Sequence, residues 1–466
     1  MIKFLSRINW IFNRFFQRWK FHFYAILPHP TEAKILMLSD DENSWFLPNS
    51  CINEDIHPSE FATIQKVIEQ ELGISANILY YAHNYDDKSK CEIHTIYVLE
   101  HNYLIKELIE KFKDASWVDL ETLKNISLKL PEHKSVIQEY LTEIEISEIP
   151  ELRPSWARKG WLYSAKKWIE EQLLELNYQQ LSPVECIKSW GISCVLQVKT
   201  TAGNIYFKQA STLPLFCNEP LVTTELANLF PENIPTVLSI NSEHHWMLLA
   251  DFGEPIGRNS SIKLQKNVYR LLAQIQIKSI QHIDNLLNIG CLDRRLEKLS
   301  TQIDVLFNDK NVLSQFKETE IQKLQTLAPH LKNLCSQLAE YKIPQTLVHG
   351  DLHLGNVALY NNKYLIFDWT DSCISHPFFD MFPLFFIQKK NPFFSPLKSL
   401  RYEYLSQWEI YESKPRLLEA WKLAKPLCAL HHAVTYQHIT ACLEPRAKQE
   451  CNALPYFLRQ LLKCKI

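Results

Sequence analysis

His349-Gly350-Asp351-Leu352-His353-Leu354-Gly355-Asn356, followed by Ile366-Phe367-Asp368-Trp369, decides how the rest of the chain is read. An Asp, an Asn five residues later and a second Asp seventeen residues after the first make the smallest set of side chains that ATP-dependent phosphoryl transfer needs. The first Asp can accept a hydroxyl proton. The Asn and the second Asp can hold magnesium against nucleotide phosphates. Apolar runs precede both pieces, Thr346-Leu347-Val348 and Tyr364-Leu365-Ile366-Phe367, so each reads as a short strand presenting polar residues at its end. Asn361-Asn362 between them is a hairpin turn signal.

This pattern resembles the aminoglycoside phosphotransferase and choline kinase family, distant relatives of the protein kinases. Members carry an H-G-D-x-H-x-x-N loop and, shortly after, an apolar run ending in Asp. His349, Gly350, Asp351, His353 and Asn356 match the loop. The resemblance covers residues 185 to 455. It implies an α+β fold of two lobes, protein-kinase-like, with a small antiparallel sheet and a helical large lobe. The activity it implies is transfer of the ATP γ-phosphate to a small-molecule hydroxyl. Asp351 then serves as catalytic base, or at least orients the hydroxyl, and Asn356 and Asp368 are the Mg2+ ligands. His349 and His353 are expected to hold the loop by hydrogen bonds. Asp380 is expected to brace it, and Asp371 to lie near the acceptor or at the surface.

The nucleotide side follows from the same resemblance. Cys194 to Lys199 and Asn204 to Lys208 flank a turn at Ala202-Gly203, which reads as a hairpin. Lys208 stands where the family's phosphate-pairing lysine belongs. A lysine on an apolar strand also needs a counter-charge on physical grounds. Glu219 is the first choice for it, with Glu225 the alternative. The nucleotide-covering turn is Trp190 to Cys194, where Ser193 and backbone amides can meet phosphate. Trp246 to Phe252 reads as a strand and hinge, whose backbone near Leu249 and Asp251 is expected to bond the adenine.

A separate block precedes this one. Phe21–Leu27, Lys34–Leu38, Asn77–Ala82 and Ile93–Leu99 read as strands. Ser59–Leu72 reads as a helix, with Ser59 as N-cap and Gly73 as its stop. Over residues 21 to 144 this order resembles a Nudix domain, an α/β fold whose helix carries R-E-x-x-E-E-x-G. Here Val67 and Gln70 occupy two catalytic Glu positions, Ile52 an upstream Gly and Pro58 an upstream Glu; only Glu71 and Gly73 remain. One carboxylate is a poor site for a hard divalent ion. The resemblance therefore implies a Nudix-like scaffold without hydrolase activity.

The expected organisation is a basic amphipathic segment at 1–20, the Nudix-like domain at 21–144, a linker at 145–160, a small lobe at 161–250 and a large lobe at 251–466. The last lobe should hold helices at Leu417–Leu430, His431–Cys442 and Leu454–Leu462. At 466 residues with 46% hydrophobic content, the chain can bury more than one core. A net charge of -2 gives no electrostatic case for nucleic acid or an anionic membrane. No apolar run approaches the ~20 residues that span a bilayer, so no stable membrane insertion is expected. Twelve singly scattered cysteines without a C-x-x-C pair read as reduced thiols, and the expected location is cytoplasmic. Nine glycines and no G-x-x-x-x-G-K-[ST] or G-x-G-x-x-G motif disfavour P-loop and dinucleotide-binding readings. The expected partner is a small-molecule hydroxyl substrate, and the cofactors are ATP and Mg2+. The alternative is a non-catalytic, nucleotide-binding regulatory module in which the Nudix-like domain recognises a partner. Protein-kinase activity ranks below both, because no A-P-E segment follows Asp368.

Overall fold

The structure is a computed structural model that describes residues 19–464, apart from 54–55, 113, 258–259 and 387–396. Most of the segment expected at 1–20 lies outside the described residues. The chain forms two compact units. Among the described residues one holds 19–202 with 443–448, and the other holds 203–442 with 449–464.

In the first unit, alternating apolar residues build strands whose two faces are both covered. Strands β1 (Lys20–Ile26), β2 (Ile35–Ser39), β3 (Ser44–Phe46) and β4 (Asn49–Ile52) are followed by helix α1 (Phe61–Leu72). Next come β5 (Asn77–Asp87), β6 (Glu92–Glu100), β7 (Ala115–Val118) and β8 (Ser127–Leu128). One sheet has the order β4-β1-β6-β5, with β1 and β6 parallel; the other has the order β7-β2-β3-β8. Phe21, Phe23 and Ala25 point to one side of β1 and pack with Phe61, Ile64 and Ile68 of α1. Tyr24 and Ile26 point to the other side, where helix α2 (His133–Ile146) covers them with Ile137 and Leu141. This is the period-2 logic of a two-sided sheet.

Gly73 ends α1 in the left-handed conformation, as expected. The expected cap does not hold. The helix starts at Phe61, Glu60 makes no side-chain cap, and the Ser59 hydroxyl instead bonds His57 Nδ1 at 2.8 Å. The stretch read as a linker is packed. Arg153 is buried, donates to Glu143 at 2.8 and 2.7 Å and to Glu444 at 2.8 Å, and lies over the Tyr80 ring. The unit continues through α3 (Trp161–Glu175), β9 (Glu185–Ser189) and β10 (Ser193–Thr200). Ala165, Ile169 and Leu173 form the buried stripe of α3, at helical spacing.

The second unit opens with β11 (Gly203–Ala210), α4 (Glu219–Leu229), β12 (Val237–Asn241) and β13 (Trp246–Leu249). Antiparallel β13 lies between β12 and β11. Helix α5 (Ile262–Ser279) follows. Beyond it lie β14 (Leu292–Asp293), β15 (Thr346–Val348), β16 (Val357–Tyr360), β17 (Lys363–Ile366) and β18 (Cys373–Ser375). Asn361 and Asn362 both have positive φ, 50° and 60°, so the dipeptide makes the two-residue turn joining β16 to β17. The strand before the catalytic motif takes no part in that hairpin; β15 pairs antiparallel with β18.

Two helices were expected from Leu417 to Cys442, but one 28-residue helix, α6 (Lys414–Ala441), runs through Pro426. His431 and His432 stand where the second of the two expected helices was to begin. They are buried against Phe379 at 5.0 Å and Phe382 at 5.1 Å, within a stretch from Pro426 to Gln437 that is buried all round and so shows little amphipathic period. Helix α7 (Leu454–Leu462) closes the unit as expected. Among the described residues, no helix is long and apolar enough to cross a membrane.

Candidate active site

The second unit brings together side chains from four separate stretches. Lys208, on β11, is buried. Its ammonium donates to Glu219 Oε1 at 2.6 Å, Asp368 Oδ1 at 2.5 Å and Thr370 Oγ1 at 2.9 Å. Three N–H groups thus meet three oxygens. Burial works against the charge on Lys208, but the carboxylates of Asp368 and Glu219 outweigh it and raise its pKa. Burial raises the Glu219 carboxyl, and the Lys208 charge opposes that rise. Glu225, the alternative partner, instead accepts from Asn285 Nδ2 at 2.7 Å.

Asp368 has φ of 69°, a left-handed conformation uncommon outside glycine and found at functional sites. It follows the end of β17 and turns its carboxylate toward Lys208. Asn356 is buried, and its Nδ2 donates to the Asp351 carbonyl at 3.1 Å, which ties the two ends of the loop together. The Asn356 carbonyl accepts from Phe367 N at 3.0 Å, so the loop is bonded to the residue preceding Asp368.

Asp380 is buried and takes the His349 and Gly350 amides at 3.0 and 2.9 Å, one on each oxygen. Gln276 on α5 adds a third donor at 2.9 Å, and the Tyr404 hydroxyl donates to Gln276 Oε1 at 2.6 Å. Burial pushes the Asp380 carboxyl up to about 7. The histidines do structural work: the His349 ring bonds the Phe367 carbonyl at 3.0 Å, and His353 Nδ1 accepts from Gly355 N at 3.0 Å. Gly350 has φ of 83°, and a Cβ there would collide with the Asp371 carbonyl, so only glycine lets the two segments approach. Burial, with the charges of Asp351 and Asp368 beside it, pushes Asp371 up to about 8.

Leu249 ends β13 and is buried, and the Ala250 amide donates to Thr236 O at 3.0 Å. Asp251 accepts from Asn204 N at 3.3 Å and Gly253 N at 3.0 Å, so its side chain orders the neighbouring turns. Phe252 sits between Tyr206 and Phe367, with ring centroids 4.8 Å away on each side. Ser193 belongs to the first unit; it is buried, and its hydroxyl accepts from Trp190 Nε1 at 2.7 Å. Sequence reasoning missed Thr370, Gln276 and Tyr404. Thr370 follows Asp368 by two residues, and Gln276 is a lone amide on the buried face of α5, a pattern that marks a buried polar role.

Residues 245–431 match the family model described as "Phosphotransferase enzyme family". Over that stretch, 187 of the 466 residues, the chain is similar to that family. No curated protein matches the chain. Solved structures similar to it include a choline kinase from Streptococcus pneumoniae, at 14% identity and TM-score 0.44, covering 64% of this chain and 99% of that one. APH(2")-IIia in its GDP and kanamycin complex is 14% identical with TM-score 0.45, covering 64% and 99%. A Plasmodium vivax ethanolamine kinase is 10% identical with TM-score 0.42, covering 74% and 94%.

Proposed function

We propose that this protein transfers the γ-phosphate of ATP to a hydroxyl of a small molecule. The observation that carries the reading is Lys208, held at 2.6 Å from Glu219 and 2.5 Å from Asp368, 160 residues away in sequence. A structural ion pair needs one counter-charge. Here two carboxylates share one buried ammonium, with Asp351 and Asp371 close enough to Asp368 to raise the Asp371 pKa. Such a site has an excess of negative charge and suits a divalent cation.

The donor set fits Mg2+. Asp368 and the Asn356 side-chain carbonyl are hard oxygen ligands, and Mg2+ takes only one or two protein oxygens beside phosphate and water. When bound, the ion neutralises charge on the phosphates. With nucleotide bound, Lys208 would pair with a phosphate oxygen in place of Asp368, and Asp368 would then be available to hold the metal. Glu219 and Thr370 keep Lys208 aimed throughout. Asp351 accepts or orients the hydroxyl proton, and the Asp380 brace fixes the backbone that carries it. Leu249 and Asp251 are assigned to the adenine side through their backbone. The catalysis is positioning and charge neutralisation.

Residues 21–144, within the first unit, are read as a Nudix-like scaffold without hydrolase activity. Its surviving Glu71 accepts from Ser50 Oγ at 2.8 Å, and Val67 is packed in the core. The twelve cysteines, none in a disulfide among the described residues, suit a reducing compartment, the cytoplasm.

Asp351→Ala tests the assignment. With acceptor panels of aminoglycosides, choline, ethanolamine and macrolides, ADP release should fall by at least roughly 10²-fold while nucleotide binding persists. Unchanged turnover would remove Asp351 from the mechanism.

A further inference from the structure

Far along the sequence from the phosphotransferase motif, the first unit carries a second cluster of metal-binding side chains. Strand register assembles it. His22 on β1 pairs with His94 on β6 and with Cys51 on β4, and Tyr85 on β5 pairs with His94. One rung across four strands thus reads Cys51, His22, His94, Tyr85. Glu92 lies two residues before His94 and so shares its face. The His22 and His94 rings stack at 4.5 Å and 4°, and Tyr85 stacks on the far side of His94 at 4.7 Å and 4°.

The donor atoms converge. His22 Nε2 lies 3.6 Å from one Glu92 oxygen, and His94 Nε2 lies 3.5 Å from the other. The three donors fall within 4.8 Å of one another, the one such group among the described residues. Cys51 Sγ is 3.5 Å from His22 Nε2. Donors around a tetrahedral ion with bonds of ~2.0–2.1 Å sit about 3.3 Å apart, and the two stacked rings must tilt toward each other to aim both Nε2 lone pairs at one ion. The outer contacts also fit. Tyr24 Oη is 3.0 Å from His94 Nδ1, so an Nδ1–H donating to that hydroxyl leaves the Nε2 lone pair facing Glu92. Side-chain exposures of 23%, 17% and 11% for His22, Glu92 and His94 leave the cluster reachable from solvent.

We propose that His22, Glu92 and His94 bind a Zn2+ ion, with the fourth position open on the Cys51 side. Two imidazoles and one carboxylate suit a borderline metal better than Mg2+ or Ca2+, which favour all-oxygen sets.

The test uses the full-length chain after chelator treatment. Zn2+ uptake is measured against a chromophoric competitor, and Co2+ substitution is followed by visible absorption. The wild type should take up one equivalent more than the His22→Gln/His94→Gln double variant, at least ten-fold more tightly. It should also show Co2+ d–d bands that the double variant lacks. Equal uptake and identical Co2+ spectra would overturn the proposal and leave a proton-sharing His–Glu network. A matching metal-free melt shows that the double variant folds; if it does not, Glu92→Gln supplies the same comparison.

Discussion

Lys208 and the carboxylates around it set the chemistry at the residue scale. Three acceptors satisfy its ammonium, and the negative charge they leave gathers where a cation would sit. Asp371 records that imbalance, with a pKa pushed up to about 8. It is therefore largely protonated at neutral pH. A cation arriving nearby lowers its pKa and displaces the proton. Binding of Mg2+ with ATP should accordingly release protons between pH 7 and 8, and affinity should rise with pH across that window. Calorimetry in buffers of different ionisation enthalpy measures the release, and Asp371→Asn should suppress it. The pairing of Lys208 with Glu219 was legible in sequence because an ammonium on an apolar strand needs a counter-charge; the roles of Asp351, Asn356 and Asp368 rest on the family resemblance and belong to the proposal. Thr370 was not legible, because a hydroxyl carries no signal until the backbone turn at Asp368 aims it.

At the scale of elements, Asp380 joins the loop after β15 to helix α5 through Gln276. Removing the carboxylate orphans buried donors, each worth roughly 1–3 kcal/mol. Asp380→Ala should therefore lower the melting temperature and turnover together, whereas Asp380→Asn should retain part of both. The pH dependence has a definite sign. A carboxyl raised from its ordinary value to about 7 holds a proton in the folded state that the unfolded chain has lost. Its contribution to stability is fully present below the unfolded pKa and fades as pH rises toward 7. Asp380→Asn should cost less stability at pH 7.5 than at pH 5, as denaturant melts at the two pH values would show. The Asn361-Asn362 hairpin and the Gly73 stop were readable because positive φ demands particular residues. The 414–441 helix was misread because burial on all sides from Pro426 to Gln437 erases the amphipathic period that marks where a helix ends. Ser59 was misread because a nearby histidine took its hydroxyl.

For the whole molecule, the two units carry different donor chemistry: hard oxygens around Lys208 in one, imidazoles and a carboxylate on a sheet face in the other. The near-neutral balance of 50 basic against 52 acidic residues matches a small, local ligand rather than a polyanion. The topology of the first unit was legible only as an order of strands and helices, since the pairing of β1 with β6 joins residues more than seventy apart and no local pattern encodes it. The central claim is that Asp368, Asn356 and Lys208 form a working metal–nucleotide site. It is tested most directly by calorimetric titration of ATP into the full-length protein, with and without Mg2+, for the wild type and Asp368→Ala. The account predicts Mg2+-dependent binding in the wild type that is lost in the variant. Metal-independent binding of equal strength in both proteins, or none in either, would contradict it.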